Sequence, residues 1–326
     1  MRAVGIKGLG YFVPEKVLSN FDLEKLVETS DEWITTRTGI KERRVAAKTE
    51  HNSTLAVNAA RMALKEAGIK PGDVELIIVA TISPDSNFPS VACLVQKTIG
   101  AQKAAAFDVS AACSGFLYAL TTAKQFVQGG MYNNALVIAS EKITSLIDWT
   151  DRSTCVLFGD GAGAAVLVPE ENDGHGILAE YMHADGGFGR LLAVETEGRE
   201  PLQQDNRTMP VPRIVMQGKE LFKIAVNTMA GAAEMAARKA DLNLDDISCV
   251  VPHQANDRII TAVANKLKIP KEKFYINIQR YGNMSAASLA VALCEAVREG
   301  RIKKGDYVLL TAFGAGLTSA ANVLKW

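Results

Sequence analysis

Cys113 is the residue in this chain best placed to act as a nucleophile. It lies within Ala104 to Gln125, AAAFDVSAACSGFLYALTTAKQ. Ala105 to Val109 reads as a short buried strand and Ser110-Ala111-Ala112 as a turn. Gly115 to Phe126 reads as a helix that is apolar on most sides, through Phe116, Leu117, Leu120 and Ala123. A thiol where strand becomes helix meets the positive end of the helix dipole, which is expected to favour thiolate and lower the pKa. The small residues around it leave room for a substrate carbonyl. The same residues also suit a buried cysteine packed as a small hydrophobe, and this stretch alone leaves both readings open.

The elements around Cys113 must bring chemistry to it. With 326 residues, two domains or one large double domain are expected, and 48% hydrophobic content is ample for a core. Lys+Arg and Asp+Glu number 36 each, so charge gives no push toward nucleic acid or a membrane surface. Five scattered cysteines, with no secretory leader pattern in MRAVGIKGLGYFVPEK, fit a reducing cytoplasm rather than a disulfide framework. No apolar run approaches the roughly 18 residues that span a bilayer. Asn52 to Ala67 has helical spacing of Ala56, Ala59, Ala60, Ala63, Leu64 and Ala67, and Gly68 closes it. Val74 to Thr81 and Leu136 to Ser140 read as buried strands. The glycines of Phe158 to Val168, FGDGAGAAVLV, lack the spacing of a phosphate loop and are better explained by tight packing of a strand. Arg37 to Arg44, RTGIKERR, reads as a solvated charged face, and 169–213 as a polar loop or cap.

The second half of the chain echoes the first. Ala59 to Ala80 matches Ala232 to His253 at a shift of about 173, each a helix running through an acidic turn into a strand. Phe274 to Val297 repeats the strand, turn and apolar helix of Phe107 to Val127, and FGAGLTSAANVL echoes FGDGAGAAVLV. Two similar α/β halves about a pseudo-two-fold axis follow, with mostly parallel sheets covered by helices. In that arrangement Cys113 and Asn283 sit at matching helix N-termini. His253 lies just past the buried strand Ile247 to Val251, in PHQAN. All three fall at element ends that the axis can bring together.

Taken together, these segments resemble the thiolase-fold condensing enzymes, and among them the β-ketoacyl-acyl-carrier-protein synthase III family, which starts bacterial fatty-acid synthesis. SDEWITTRTGI, AFDVSAACSGF, FGDGAGAAVL, VPHQAN, YGNMSAAS, EAVREGRIKKGD and AFGAG carry the resemblance nearly end to end. It implies an α/β thiolase-like fold of two βαβαβαββ halves, 1–170 and 171–326, the second including a 171–213 loop or cap. It implies Cys113 as acyl acceptor with His253 and Asn283 as partners. Thiolases carry a second cysteine at the position of Asn283, and elongating synthases a second histidine. The implied reaction is loss of carbon dioxide from malonyl-acyl carrier protein and attack of the carbanion on acyl-Cys113, primed by an acyl-coenzyme A such as acetyl-coenzyme A. The oxyanion would rest on the N–H groups of Cys113 and Ala315, where the family usually has glycine. Trp33 and Arg152 would sandwich the adenine of coenzyme A. Arg37 would lie at the tunnel mouth, Phe222, Gly218 and Asn256 along the pantetheine tunnel, and Arg258 against the acidic carrier protein. Phe88, in the loop Ser83 to Ser90, would cross a homodimer interface and close the partner's acyl pocket. Coenzyme A thioesters are substrates, so no cofactor and no metal are expected.

Three rival readings remain for Cys, His and Asn in that order. A papain-like cysteine hydrolase lacks its C-G-S-C-W neighbourhood here. A related condensing enzyme making polyketide or alkylquinolone precursors shares the residues. A non-catalytic acyl-binding scaffold would not need all three. His51, His175 and His183 have no support beyond structural or surface places.

Overall fold

Two mixed sheets, of five and four strands with one order over the four they share, form the framework of this computed structural model, which describes residues 2–171, 174–195, 202–204, 207–209 and 213–326. The first sheet runs Ala3–Phe12, Asp160–Glu170, Ala135–Lys142, Leu76–Ala80, Ala105–Val109. The second runs Gly176–Ala184, Thr318–Lys325, Tyr307–Gly314, Cys249–Pro252. In each, the first strand in the chain pairs antiparallel with the last, and the last antiparallel with the one before it. That strand in turn pairs parallel with an earlier one. Parallel neighbours need crossovers, and helices provide them. Val91–Ile99 and Gly115–Gln128 cross in the first half, and Asp257–Leu267 and Ala286–Arg298 in the second. This is the thiolase-like α/β arrangement of two similar halves.

Gly115–Gln128 and Ala286–Arg298 lie between the two sheets and share one core with them. Leu117, Leu120, Leu289 and Leu293 pack there with Val137, Ala139, Leu310 and Ala312. Each fully buried leucine contributes about 2 kcal/mol of transfer free energy. Asn52–Ala67 covers the outer face of the first sheet, and Gly218–Lys239 that of the second. The glycines of FGDGAGAAVLV serve this packing. A Cβ at Gly163 would lie 2.5 Å from Ala290 Cβ, and one at Gly161 2.6 Å from Met284 Sδ.

Several sequence expectations change. Ala105–Val109, expected to be buried, is an edge strand with Ala105 exposed, and the sheets expected to be mostly parallel are mixed, because the first and last strands of each half pair antiparallel. The strand expected at Phe274 is a single bridge to Val250, because the Gln254 side chain takes the ladder's place beyond it. Gln254 Nε2 donates to Tyr275 O at 3.1 Å, and Asn277 N–H donates to Gln254 Oε1 at 3.0 Å. Within the stretch 171–213, Gly176–Ala184 is a sheet strand rather than loop, with Ile177 and Ala179 buried. Leu192–Glu195 pairs with Arg213–Met216, while 172–173, 196–201, 205–206 and 210–212 lie outside the described residues. The basic run is not wholly solvated: Arg43 is fully buried and donates to Leu18 O, Asn20 Oδ1 and Val156 O. Three oxygen acceptors replace the water that a buried guanidinium loses.

Candidate active site

Cys113, His253 and Asn283 open onto one cavity of about 210 Å³. Each is held at the end of a regular element. Cys113 occupies the short 3-10 turn Ala112–Ser114 ahead of Gly115–Gln128, and Ala112 takes φ 46° to make that turn. His253 follows Cys249–Pro252, and its backbone N–H donates to Thr311 O at 2.8 Å, continuing the parallel pairing by one residue. Asn283 lies between Ile278–Tyr281 and Ala286–Arg298. Its N–H donates to Leu157 O at 2.8 Å, and its carbonyl accepts from Gly159 N–H at 3.0 Å. The two halves of the chain are stitched together at that point.

The side chains are prepared differently. Asn283 Oδ1 accepts the Ser285 N–H at 2.8 Å, which fixes the amide and leaves its NH₂ as donor. Burial drives the His253 imidazole down to about 3, so it is neutral at physiological pH and keeps one N–H and one bare nitrogen. Its ring stands edge-on to Phe313 at 6.5 Å, and its Nδ1 is buried without a hydrogen-bond partner. Cys113 departs from the expectation of a lowered pKa. Burial pushes its thiol up to about 12, and the nearby Glu141 carboxyl adds to the rise. The helix end carries only partial charge, which does not offset removal of the sulfur from water. Loading Cys113 therefore requires its proton to be taken away.

Five further sequence-predicted residues line the same cavity: Trp33, Arg37, Gly218, Phe222 and Asn256. Asn256 Nδ2 donates to Arg37 O at 3.1 Å, joining the two sides of the opening. Arg152 and Arg258 flank it. The Arg152 guanidinium lies 5.1 Å from the Trp33 ring centroid, and that of Arg258 5.8 Å from Phe222. Arg152 thus rests on the indole face itself, so a base stacking there must displace it. Ala315 lies elsewhere, in a smaller cavity of about 50 Å³ with Cys113, Ser285, Ile82, Phe158 and Ile214. Its backbone is not among the positive-φ residues, so alanine in place of glycine meets no conformational penalty there. Phe88 is away from both cavities and is 85% exposed.

Three residues escaped the sequence reading in their local roles. Gly314 packs against the turn that carries Cys113, and a Cβ there would lie 2.6 Å from Cys113 N and 3.0 Å from Ser114 N. Thr318 ties the Ala315 loop to that turn, its Oγ1 donating to Ala111 O at 2.9 Å and lying 3.2 Å from Ala315 O. Ser285, two residues after Asn283 in YGNMSAAS, takes φ 50° directly ahead of its helix. Among the described residues no group of three or more His, Cys, Asp or Glu could hold a metal ion, and no helix is long and apolar enough to cross a membrane.

Comparison with known proteins decides between the condensing and hydrolytic readings of this geometry. The family model 3-Oxoacyl-[acyl-carrier-protein (ACP)] synthase III matches residues 107–186, and that of its C-terminal part matches 237–326. The chain belongs to the 3-oxoacyl-[acyl-carrier-protein] synthase III family. It is 54% identical to the β-ketoacyl-[acyl-carrier-protein] synthase III of Caldanaerobacter subterraneus, over 99% of this chain and 98% of that protein. The crystal structure of the synthase III of Aquifex aeolicus superposes with a TM-score of 0.92 at 50% identity, covering 99% and 100% of the two chains. The priming β-ketosynthase of the R1128 polyketide pathway superposes with a TM-score of 0.91 at 35% identity, covering 99% and 96%.

Proposed function

We propose that this enzyme condenses a short acyl-coenzyme A, acetyl-coenzyme A first, with malonyl-acyl carrier protein to give a 3-oxoacyl-acyl carrier protein at the start of fatty-acid synthesis. The observation that carries the site assignment is the pairing of two neutral donors, His253 and Asn283, on one cavity with a buried thiol. Cys113 Sγ takes the acyl group from coenzyme A, exchanging one thioester for another of similar energy. Malonyl then loses carbon dioxide. The departing carboxylate provides the electrons, so no strong base is needed. The enolate oxygen needs donors, and a neutral imidazole N–H and a fixed amide NH₂ meet that need without a proton changing hands. The carbanion attacks the acyl-Cys113 carbonyl, whose oxyanion rests on the N–H groups of Cys113 and Ala315.

The small apolar cavity beside Cys113, about 50 Å³, supports a short primer. Trp33, Arg37 and Arg152 at the opening would hold the nucleotide end of coenzyme A. Phe222, Gly218 and Asn256 would line the path of the pantetheine arm, and Arg258 would meet the acidic carrier. We read the chain as two thiolase-like units, 1–170 and 171–326, in a cytoplasmic homodimer. Ala105–Val109 at the sheet edge and the exposed Phe88 support such a pairing, since an open edge strand and a bare aromatic both call for cover. Coenzyme A enters as a substrate, and no resident cofactor takes part.

Incubation with a panel of acyl-coenzyme A esters, read by intact mass and peptide mapping, tests this reading. A two- or three-carbon adduct on Cys113 is expected, followed by its consumption when malonyl-acyl carrier protein is added. A strong preference for long or aromatic primers would favour a polyketide-type priming role, which the likeness to the R1128 enzyme keeps in view. No adduct on Cys113 would overturn the assignment.

A further inference from the structure

A buried carboxyl stands behind Cys113 with no cation to neutralise it. Glu141, on Ala135–Lys142, is fully buried. Its Oε2 accepts from Ser83 Oγ at 2.5 Å, Thr81 Oγ1 at 3.2 Å and Ile82 N–H at 3.2 Å, all neutral donors. The two hydroxyls have no freedom to turn away. Thr81 Oγ1 already accepts from Asn52 Nδ2, and Ser83 Oγ from Lys142 N–H, so their protons point to Glu141. Its other oxygen, Oε1, is buried with no hydrogen-bond partner, and so is Ser285 Oγ. Ser285 makes no hydrogen bond of ordinary geometry through that hydroxyl. It lines the small cavity together with Cys113, and Met284, the residue before it, packs against Gly161, the cross-strand neighbour of Glu141.

Other charged groups around Glu141 are engaged elsewhere. The neighbouring Lys142 Nζ turns to the carbonyls of Ala47 and Glu50. Asp160, across the sheet, accepts from Thr144 and from Ala46 N–H. Cys113 and Ser285 approach it from just ahead of the two central helices, and Asn52 contributes a neutral amide behind Thr81. Among the described residues no cationic side chain forms an ion pair with it. A carboxyl kept only for structure is normally paired, as Glu295 is with Arg280 in the second half.

We propose that Glu141, acting through the Ser285 hydroxyl, is a positioning residue that holds the Cys113 proton between the two half-reactions. On acylation the thiol proton passes to Ser285 Oγ while the Ser285 proton passes to Glu141 Oε1. Cys113 Sγ bonds to the acyl carbon, the bond from that carbon to coenzyme A breaks, and the coenzyme A thiolate takes a proton from solvent. On condensation the carbon–carbon bond forms and Cys113 leaves as thiolate. Glu141 returns its proton along the same path. One solvent proton is consumed per turnover, as the loss of a carboxylate as carbon dioxide requires. The burial that pushes Glu141 up to about 7 matches it to give and take a proton near neutral pH.

This inference rests on Cys113 being the acyl acceptor, and the test separates the two. The pH dependence of Cys113 acylation by acetyl-coenzyme A is measured by intact mass on the full-length enzyme, beside thermal unfolding of each variant. The wild type is expected to accelerate with pH and level off above about 7. Glu141→Gln and Ser285→Ala are expected to be roughly 10- to 100-fold slower at neutral pH, with no plateau and a rate still climbing toward the thiol's own range. Glu141→Asp should restore the plateau at a lower rate. A Glu141→Gln or Ser285→Ala profile that keeps the wild-type plateau and differs only in scale would overturn the proposal. If Glu141→Gln fails to unfold cooperatively, Ser285→Ala decides alone. Absence of any adduct on wild-type Cys113 would instead remove the acyl-acceptor reading on which the inference stands.

Discussion

The two halves of this molecule share a strand order and differ in what they put behind their central helices. Each helix begins at a junction that carries a left-handed residue, Ala112 before one and Ser285 before the other. Neither helix has a side-chain N-cap, so neither has its first N–H groups taken up in that way. The first half offers a thiol there, the second an amide and, from its sheet, an imidazole. Behind the first junction sits Glu141, held by two hydroxyls and the Ile82 backbone N–H and by no cation. In the second half Glu295 accepts from Arg280 at 2.8 Å, Asn277 at 2.7 Å and Tyr281 at 2.6 Å. One carboxylate is paired with a cation, the other has none. A duplicated framework thus fixes the positions of the reacting groups, while the chemistry comes from substitutions that break the symmetry.

Gly314→Ala should produce the largest effect. A methyl group 2.6 Å from Cys113 N must push the catalytic turn aside. A fall in kcat of about 100-fold or more is expected, the scale of losing one oxyanion donor. Ala315→Gly next to it should change kcat little. Equal effects would mean that the turn, and with it the asymmetry between the junctions, is not what Gly314 protects.

The two carboxylates make the next contrast, read by thermal unfolding. Glu295→Gln should cost about 2 kcal/mol. That is less than a fully buried broken pair, because the Arg280 side chain is 42% exposed and can return to water. Glu141→Gln should do the reverse above neutral pH. Its folded-state pKa is raised from 4.5 to about 7, so its ionisation opposes folding. That penalty is absent below about 4.5, grows as pH rises and is complete above about 7. Stabilisation by Glu141→Gln should therefore be present at pH 8 and vanish at pH 4.5. A destabilisation that did not vary with pH would contradict this reading of Glu141.

Arg152→Ala should have the smallest effect, a few-fold change in KM for acyl-coenzyme A with kcat retained, because it alters the Trp33 stacking surface and one exposed hydrogen bond to Glu28 O. A loss confined to kcat would place Arg152 in the chemistry rather than at the opening.

Much of this was legible in the sequence, for physical reasons. Apolar periodicity located the Asn52–Ala67 helix to the residue, and the repeat put Cys113, His253 and Asn283 at element ends. Side chains that act through burial were not legible. The helix-dipole argument for Cys113 omitted desolvation, which depends on Phe158, Phe313 and other residues distant in the chain. Arg43 reads as one more charge in RTGIKERR until Val156 O, 113 residues away, is seen to receive it. Gly314 and Glu141 carry no local signal, because what matters is the backbone or hydroxyl that the fold brings against them. Gly176–Ala184 was missed because it lies in a stretch whose other residues are polar and rich in Gly and Pro.

The central claim is that the first half holds the acyl group while the second half makes the carbanion. Release of labelled carbon dioxide from malonyl-acyl carrier protein, measured beside trapped acyl-enzyme in the same variants, tests it most directly. Cys113→Ala should form no acyl-enzyme yet still release carbon dioxide. Asn283→Ala should still acylate Cys113 but decarboxylate roughly 100-fold more slowly, a loss of about 3 kcal/mol. Normal decarboxylation in Asn283→Ala, together with loss of acylation, would make Asn283 the orienter of a base for Cys113, as in a cysteine hydrolase, and would contradict the division of labour between the halves.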